Sequence, residues 1–482
     1  MTIASAISRR VFLRQSLLSL SGAVLALGGA DTALPAGDRD KRPNILLVVS
    51  DDQGWGDLPS NWEETDIHMP VMENVGATGI RFTSFYVNPL CAPTRSSLLT
   101  GLYSMENGMW RGPSRTATSH YRGIGKDVVT LPQILQRAGY ATGIFGKWHL
   151  GYDSGNLPND RGFDEFYGFL GGAHRYELTA GDKAFFHNKR QYCENSHATD
   201  YITDKALDFI RINASRKKPF FCYVAYNAVH GPLWRENRRK PSAKPEWLDK
   251  AEQRGIDFPR RDYVAILEHM DYSVGRLLAA LEALRIEENT LVIYLSDNGA
   301  ITLEFPTKSA YPGNNGPLRG GKGSVYEGGI RVPCVMRWKG EFPAGAVSGS
   351  TAIHADIFST CLDAAGLPAM KTNGGYPLRG VSLLPHIRSK ALSPLPDRTI
   401  FFEITGRVAA RKGKYKLVGE VESSRADWKS TAAQLRNKDL ELYDLSADIG
   451  EKRNLKDSLP DVYRSMKQEM IDYFESIQCR AQ

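Results

Sequence analysis

The sequence predicts an α/β protein: a large, mostly parallel sheet sandwiched by helices, with a smaller C-terminal antiparallel-sheet α+β subdomain. Three observations lead there. Four near-continuous apolar runs, at 44–50, 141–146, 220–226 and 291–296, lead directly or through a short loop into charged or metal-capable side chains. Helical patterns lie between them at 131–138, 199–212 and 262–284, the last with apolar residues recurring at three and four. From about residue 395 the chain turns to short strand-like segments with Gly-containing turns. Apolar strands alternating with helices imply a parallel sheet covered on both faces.

Residues 1–36 precede this pattern. They hold Ser8-Arg9-Arg10-Val11-Phe12-Leu13 and then an apolar stretch from Leu17 to Leu27. A basic start, paired arginines and a short apolar run describe a twin-arginine export signal. The run is well short of the roughly 18–20 residues that span a membrane. No cysteine follows it, which argues against a lipoprotein. Cleavage fits after Ala30 or Ala36. The expected product is periplasmic or secreted, exported folded by the twin-arginine machinery, with no stable membrane insertion once the signal is gone. Residues 37–394 then read as the large α/β domain and 395–482 as the subdomain. The subdomain is expected to have strands at 399–405, within 408–418 and at 441–445, and a closing helix over 459–477.

The composition excludes several classes. Of 482 residues, 42% are hydrophobic and 24% charged, which is a globular balance rather than a disordered, collagen-like or coiled-coil one. The net charge is +7, from 61 Lys+Arg against 54 Asp+Glu. Removing the signal takes away Arg9, Arg10, Arg14 and Asp31, which leaves +5. The best basic cluster, Arg235, Arg238, Arg239 and Lys240, is a short Pro-flanked loop without interleaved aromatics, so no nucleic-acid partner is expected. Six cysteines, at 91, 193, 222, 334, 361 and 479, include no Cys-x-x-Cys pair, which removes zinc-ribbon and thioredoxin readings. Disulfides are permitted in the destination compartment, but their pairing is not readable from spacing.

Open α/β sheets bind ligands beyond the carboxyl ends of their strands. The four runs end on or lead to Asp51-Asp52, Lys147-Trp148-His149, His230 and Asp297-Asn298, and so predict one convergent polar site. Alone, Asp51-Asp52 would suit a helix N-cap and Asp297-Asn298-Gly299 a plain turn. Together they are an oxygen-rich set suited to a hard divalent cation, Ca²⁺ ahead of Mg²⁺, and not to zinc, which prefers His and Cys.

The stretch Pro89-Leu-Cys91-Ala-Pro93-Thr-Arg95-Ser-Ser-Leu-Leu-Thr-Gly101 resembles the signature of the type I, formylglycine-dependent sulfatases. Gly139-Tyr-Ala-Thr-Gly-Ile-Phe145-Gly-Lys147-Trp-His149-Leu-Gly151 is similar to a second family stretch, with Phe145 where a small or aliphatic residue is usual. Ala228-Val-His230-Gly-Pro-Leu233, Asn315–Arg331 and Glu441–Leu455 follow in the family's order. The resemblance runs from about residue 42 to 470 and implies an alkaline-phosphatase-like fold.

The resemblance also implies roles. Cys91 would be oxidised to formylglycine by a maturation enzyme, and its hydrate would be the nucleophile. Pro93 in a first helical turn would put Cys91 near a helix N-terminus, which favours an anion. Asp51, Asp52, Asp297 and Asn298, with the modified Cys91, would hold Ca²⁺. Lys147 and Lys322 would hold sulfate oxygens, His230 would protonate the leaving oxygen, and Arg95 would stabilise the hydrate. His149 would take the proton from the second hydroxyl as sulfate is eliminated and the aldehyde re-forms. Glu327, His269 and Lys308 receive no role.

The stretches at 148–168 and 314–319 are most similar to the arylsulfatase B-like branch, whose members act on sulfated amino sugars, so a sulfated glycan is the expected substrate. Trp110, Arg111, His174, Arg175 and Tyr176 lie in loops that suit either a glycan cleft or plain surface. A phosphonate or phosphate monoester hydrolase of the same superfamily is the rival enzyme. A catalytically silent glycan-binding protein is what the chain becomes if Cys91 stays a thiol.

Overall fold

Buried apolar segments must pair their backbone groups, and here they do so in one wide sheet. The computed structural model describes residues 42–113, 123–235, 240–301, 312–389, 391–422 and 427–477. The expected export signal, Arg238, Arg239, Lys308 and Cys479 lie outside the described residues.

The sheet strands are β1 (Asn44–Ser50), β2 (Ile80–Tyr86), β3 (Ala141–Lys147), β4 (Glu165–Phe169), β5 (Phe185–His187), β6 (Arg190–Gln191), β7 (Phe220–Ala225), β8 (Thr290–Ser296), β9 (Arg331–Arg337), β10 (Ala346–Ser348) and β11 (Ala352–Ile353). Their order is β10-β2-β9-β8-β1-β7-β3-β4-β5-β6, with β11 also on β2. The central run β8-β1-β7-β3-β4 is parallel throughout. Strand β9 runs antiparallel between β8 and β2, and β5 and β6 are antiparallel beyond β4. The four apolar runs of the sequence are therefore four adjacent strands, β8, β1, β7 and β3. All of them point their carboxyl ends the same way.

Alternation along β1 divides the core. Ile45, Leu47 and Val49 face one side, with Leu98 and Leu99 of α1 (Cys91–Thr100), Leu131 and Leu135 of α2 (Leu131–Arg137), and a later helix holding Ile357 and Phe358. Leu46 and Val48 face the other, with Ile202, Ala206 and Ile210 of α3 (Ala198–Ser215) and the apolar stripe of α4 (Arg260–Ala283) from Val264 to Leu281. Burial on both faces explains why these strands read as continuous apolar runs. Strand β2 alternates, with Arg81 and Thr83 only partly buried, so its residues carry a weaker signal.

The C-terminal strands β12 (Ile400–Ile404), β13 (Arg407–Lys412), β14 (Tyr415–Glu420) and β15 (Glu441–Asp444) form one antiparallel sheet. It shares a third core with a helix over Trp428–Asn437 and a closing helix over Pro460–Ser476, where Phe401 stacks on Tyr473 at 4.2 Å. Tyr86 of β2 and Trp110 belong to that same core.

A buried charge cluster joins the two sheets. Lys416 Nζ of β14 lies 2.9 Å from Glu327 Oε1 and 2.8 Å from Glu451 Oε1, and all three side chains are inaccessible to solvent. Glu327 Oε2 accepts from the Tyr86 hydroxyl (2.6 Å), and the Glu327 amide donates to Glu451 Oε2 (2.7 Å). Burial opposes ionisation of Glu327, but Lys416 and Arg411 outweigh it and hold its carboxyl down at about 2. Glu327 is thus structural, as expected. Replacing Lys416 by Met would strand two buried carboxyls, so Lys416→Met should destabilise the fold by about 3–5 kcal/mol in urea unfolding, whereas a loss under about 1 kcal/mol would show that the cluster does not hold the sheets together.

Candidate active site

Each strand end delivers a polar side chain to one place. Helix α1 begins at Cys91, with Leu90 as an N-cap that makes no side-chain hydrogen bond. Arg95 stands one turn on, on the same face. Cys91 is buried, and its Sγ lies 3.2 Å from His149 Nδ1.

Three buried acid–cation pairs surround this thiol. Lys147 Nζ, at the end of β3, donates to Asp51 Oδ2 at the end of β1 (2.6 Å). Lys322 Nζ donates to Asp52 Oδ1 (2.5 Å). Arg95 donates through Nε (2.9 Å) and an Nη (2.6 Å) to Asp297 Oδ2, and more weakly to the Tyr223 hydroxyl (3.4 Å). The Asn298 amide donates to Asp52 Oδ1 (2.7 Å), and the Asp52 backbone N–H donates to Asp297 Oδ1 (3.3 Å). His230 sits at the rim, with Nε2 3.7 Å from Asp52 Oδ2 and Nδ1 2.8 Å from the Gly231 carbonyl. Every residue singled out from the sequence as catalytic or metal-ligating falls in this constellation.

The electrostatics follow from burial and pairing. Burial and the neighbouring Asp297 push the Asp51 carboxyl well up. At Asp52 burial works the same way, but Lys322, His230 and the Asn298 amide outweigh it and hold the carboxyl below its usual range. Burial and then Lys147, Arg95 and Lys322 drive the His149 imidazole well down, and burial and Lys322 take His230 down to about 3. Both rings are therefore neutral at neutral pH. Asp52 and His149 have left-handed backbones, with φ of 63° and 56°, a strain found at functional positions.

Among the described residues, three buried oxygens of this site have no hydrogen-bond partner: Asp51 Oδ1, Asp52 Oδ2 and Asn298 Oδ1. Orphaned buried carboxylate and amide oxygens are costly unless a cation takes them. Asp51 and Asp52 bring ligand atoms within 4.8 Å of each other and of a His230 nitrogen. This donor set fits a hard divalent ion.

Several contributors carried little sequence signal. A Cβ on Gly172 would stand 2.7 Å from His149 Nε2, and one on Gly112 3.2 Å, so these two glycines let the loops close on the imidazole. Asn227 clasps His174, accepting from its N–H (3.2 Å) and donating to its carbonyl (2.8 Å). The Tyr176 hydroxyl donates to the Asn227 and His230 carbonyls (3.1 and 2.9 Å). Tyr176 and Trp110 are buried and act as braces rather than lining an open cleft. Arg175 is half exposed and paired with Asp182 at 3.1 Å.

A protein-family model described as Sulfatase matches residues 43–367. The chain belongs to the sulfatase family. It is similar to an N-acetylgalactosamine-6-sulfatase of Canis lupus familiaris, 35% identical over 408 residues that cover 80% of this chain and 71% of that one. It is 28% identical to a Homo sapiens arylsulfatase G over 481 residues, covering 90% and 86%. Among solved structures, that of Ps i-CgsB in complex with k-i-k-neocarrahexaose matches with a TM-score of 0.78 at 30% identity, covering 91% of this chain and 94% of that one. Sulfatases are sulfuric ester hydrolases, and their alkaline-phosphatase-like fold is the one described above. The glycine wall gives a test within this sulfatase: Gly172→Ala should displace His149 and cut kcat on an aryl sulfate by roughly ten- to a hundredfold, with the thermal midpoint held. Unchanged kcat would mean the loop moves aside and the fit is not needed.

Proposed function

We propose that this sulfatase removes sulfate from sulfated glycans, with Cys91 matured to formylglycine and Ca²⁺ held by Asp51, Asp52, Asp297 and Asn298 beside that residue. The observation that carries the reading is Cys91 Sγ at an uncapped helix N-terminus, beside three orphaned oxygens and two lysines. The glycan assignment is supported by the relatives' names and by the carrageenan hexasaccharide in the solved complex. Among the described residues no helix is long and apolar enough to cross a membrane. The proposed location is periplasmic or secreted, with residues 1–36 as the signal, 37–394 as the catalytic domain and 395–482 as the subdomain.

The charges make the cation a requirement of substrate binding. Lys147 and Lys322 now neutralise Asp51 and Asp52. A bound sulfate ester would draw both ammonium groups onto its oxygens and leave those carboxylates short of positive charge, in a site where desolvation is costly. A divalent ion held by Asp51, Asp52, Asp297 and Asn298 would restore the balance and would supply Lewis-acid polarisation of the sulfate. Formylglycine at position 91 would, as its hydrate, supply the attacking oxygen and the second hydroxyl needed to expel sulfate.

The chain's own residues do the rest. Lys147 and Lys322 fix the ester and offset charge as the S–O bond breaks. His149 stands against residue 91 as a neutral base, kept so by burial and three cations. His230 is neutral in the free enzyme, and an anionic ester beside it favours the protonated ring that donates to the leaving alcohol oxygen. Arg95 is held by Asp297 and steadies oxygen at position 91.

Two measurements test this. Peptide mass spectrometry of protein from its own source should find an aldehyde or its hydrate at position 91, and an intact thiol would overturn the reading. Lys322→Ala should lose about 2–4 kcal/mol of transition-state stabilisation on an aryl sulfate, and a change in kcat/KM under about threefold would refute its role.

A further inference from the structure

One hairpin of the C-terminal sheet touches the loop that carries Lys322 at the next residue, Gly323. Strands β12 and β13 are joined by Thr405 and Gly406, with φ of 49° and 87°, a two-residue turn of the left-handed kind that suits strand twist. Glu403 Oε1 accepts from the Gly406 amide (3.0 Å), and the Gly406 carbonyl accepts from Val421 (2.8 Å), so the turn is fixed at both sides. Arg407 follows, its side chain half exposed. An Nη of its guanidinium donates to the carbonyl of Gly323 (3.1 Å), the residue after Lys322. The Gly323 amide donates in turn to the Pro89 carbonyl (2.8 Å), two residues before Cys91. One glycine therefore bridges the guanidinium to the loops that carry the thiol and the lysine.

A guanidinium offers five donors in a planar fork, and the bond to Gly323 leaves most of them unused. Among the described residues the one carboxylate in ion-pair range of Arg407 is Glu420, 3.8 Å from Nε and 71% exposed. That is too long for a hydrogen bond and is well screened by water. Arg175, on the His230 side of the site, differs: its Nε and an Nη both reach Asp182 Oδ2, at 3.3 and 3.1 Å. Arg407 is thus a half-exposed cation one residue along from Lys322, and among the described residues most of its donors are not taken up. Paired N–H groups at fixed spacing match the oxygens of a sulfate.

We infer that Arg407 binds a second sulfate on the sugar chain, beside the sulfate being removed, so that the enzyme favours multiply sulfated oligosaccharides over singly sulfated esters. This rests on the glycan-sulfatase reading. The test uses the full, matured enzyme turning over an aryl sulfate, with two competitors: N-acetylgalactosamine 6-sulfate, which carries one sulfate, and a carrageenan hexasaccharide carrying several. Arg407→Ala should raise the inhibition constant of the hexasaccharide about tenfold relative to that of the monosaccharide. Arg407→Lys, which keeps the charge, should recover part of the loss. If Arg407 only props Gly323 and Lys322, both constants rise together, and that result, or no change in either, overturns the inference. Wild-type enzyme that turns over the aryl sulfate but is inhibited by neither sugar keeps the sulfatase and removes the glycan reading with this inference. Wild-type enzyme inert on the aryl sulfate removes the proposed chemistry itself.

Discussion

Buried carboxylates at the ends of two neighbouring strands, each held by a cation from another part of the chain, are the constraint to which the rest of the molecule answers. Asp51 meets Lys147 across β7, Asp52 meets Lys322 from the loop before β9, and Asp297 meets Arg95 from α1. None of these acids could stay ionised in a dry interior alone. Removing any one partner would leave its counterpart buried and uncompensated. The pairs therefore fix how the strand ends, the first turn of α1 and the 315–330 loop sit against one another. They also leave three oxygens of the site without a hydrogen-bond partner among the described residues, and these are the oxygens we propose for the cation.

The C-terminal sheet takes part in that arrangement. Lys416 is the counter-ion of Glu327, which opens the turn leading into β9, and the same loop carries Lys322 five residues earlier. Arg407 holds Gly323 from the outside while Pro89 holds it from the inside. A sheet that looks peripheral in the chain order thus supports the loop that carries Lys322.

The central architecture was legible in the sequence because β8, β1, β7 and β3 are buried on both faces and so must be apolar without interruption, up to the polar residue each delivers. The closing helix and the C-terminal strands were legible for the complementary reason, with turn glycines bounding short runs. Strands β2 and β9 were not picked out: β2 lies toward the sheet's edge and mixes Arg and Thr into its apolar pattern, and β9 is broken by Pro333. In the site, Asp51, Asp52, Asp297 and Asn298 were legible as an oxygen-rich set at strand ends, whereas Cys91, Arg95 and Lys322 were named only through the resemblance of the motifs that carry them. Gly112 and Gly172 were not legible, since their contribution is the absence of a side chain beside His149. Nor was the bracing by Tyr176 and Asn227, which acts through backbone carbonyls and amides that have no residue signature.

The most direct measurement of the central claim is a crystal structure of the matured protein grown with Ca²⁺ and a sulfate ester that it does not turn over. The predicted result is a cation about 2.3–2.6 Å from Asp51 Oδ1, Asp52 Oδ2, Asn298 Oδ1 and an Asp297 carboxylate oxygen, with the Lys147 and Lys322 ammonium groups moved onto the sulfate oxygens. A sulfate bound with both lysines still on their aspartates, or a cation seated away from those oxygens, would contradict it.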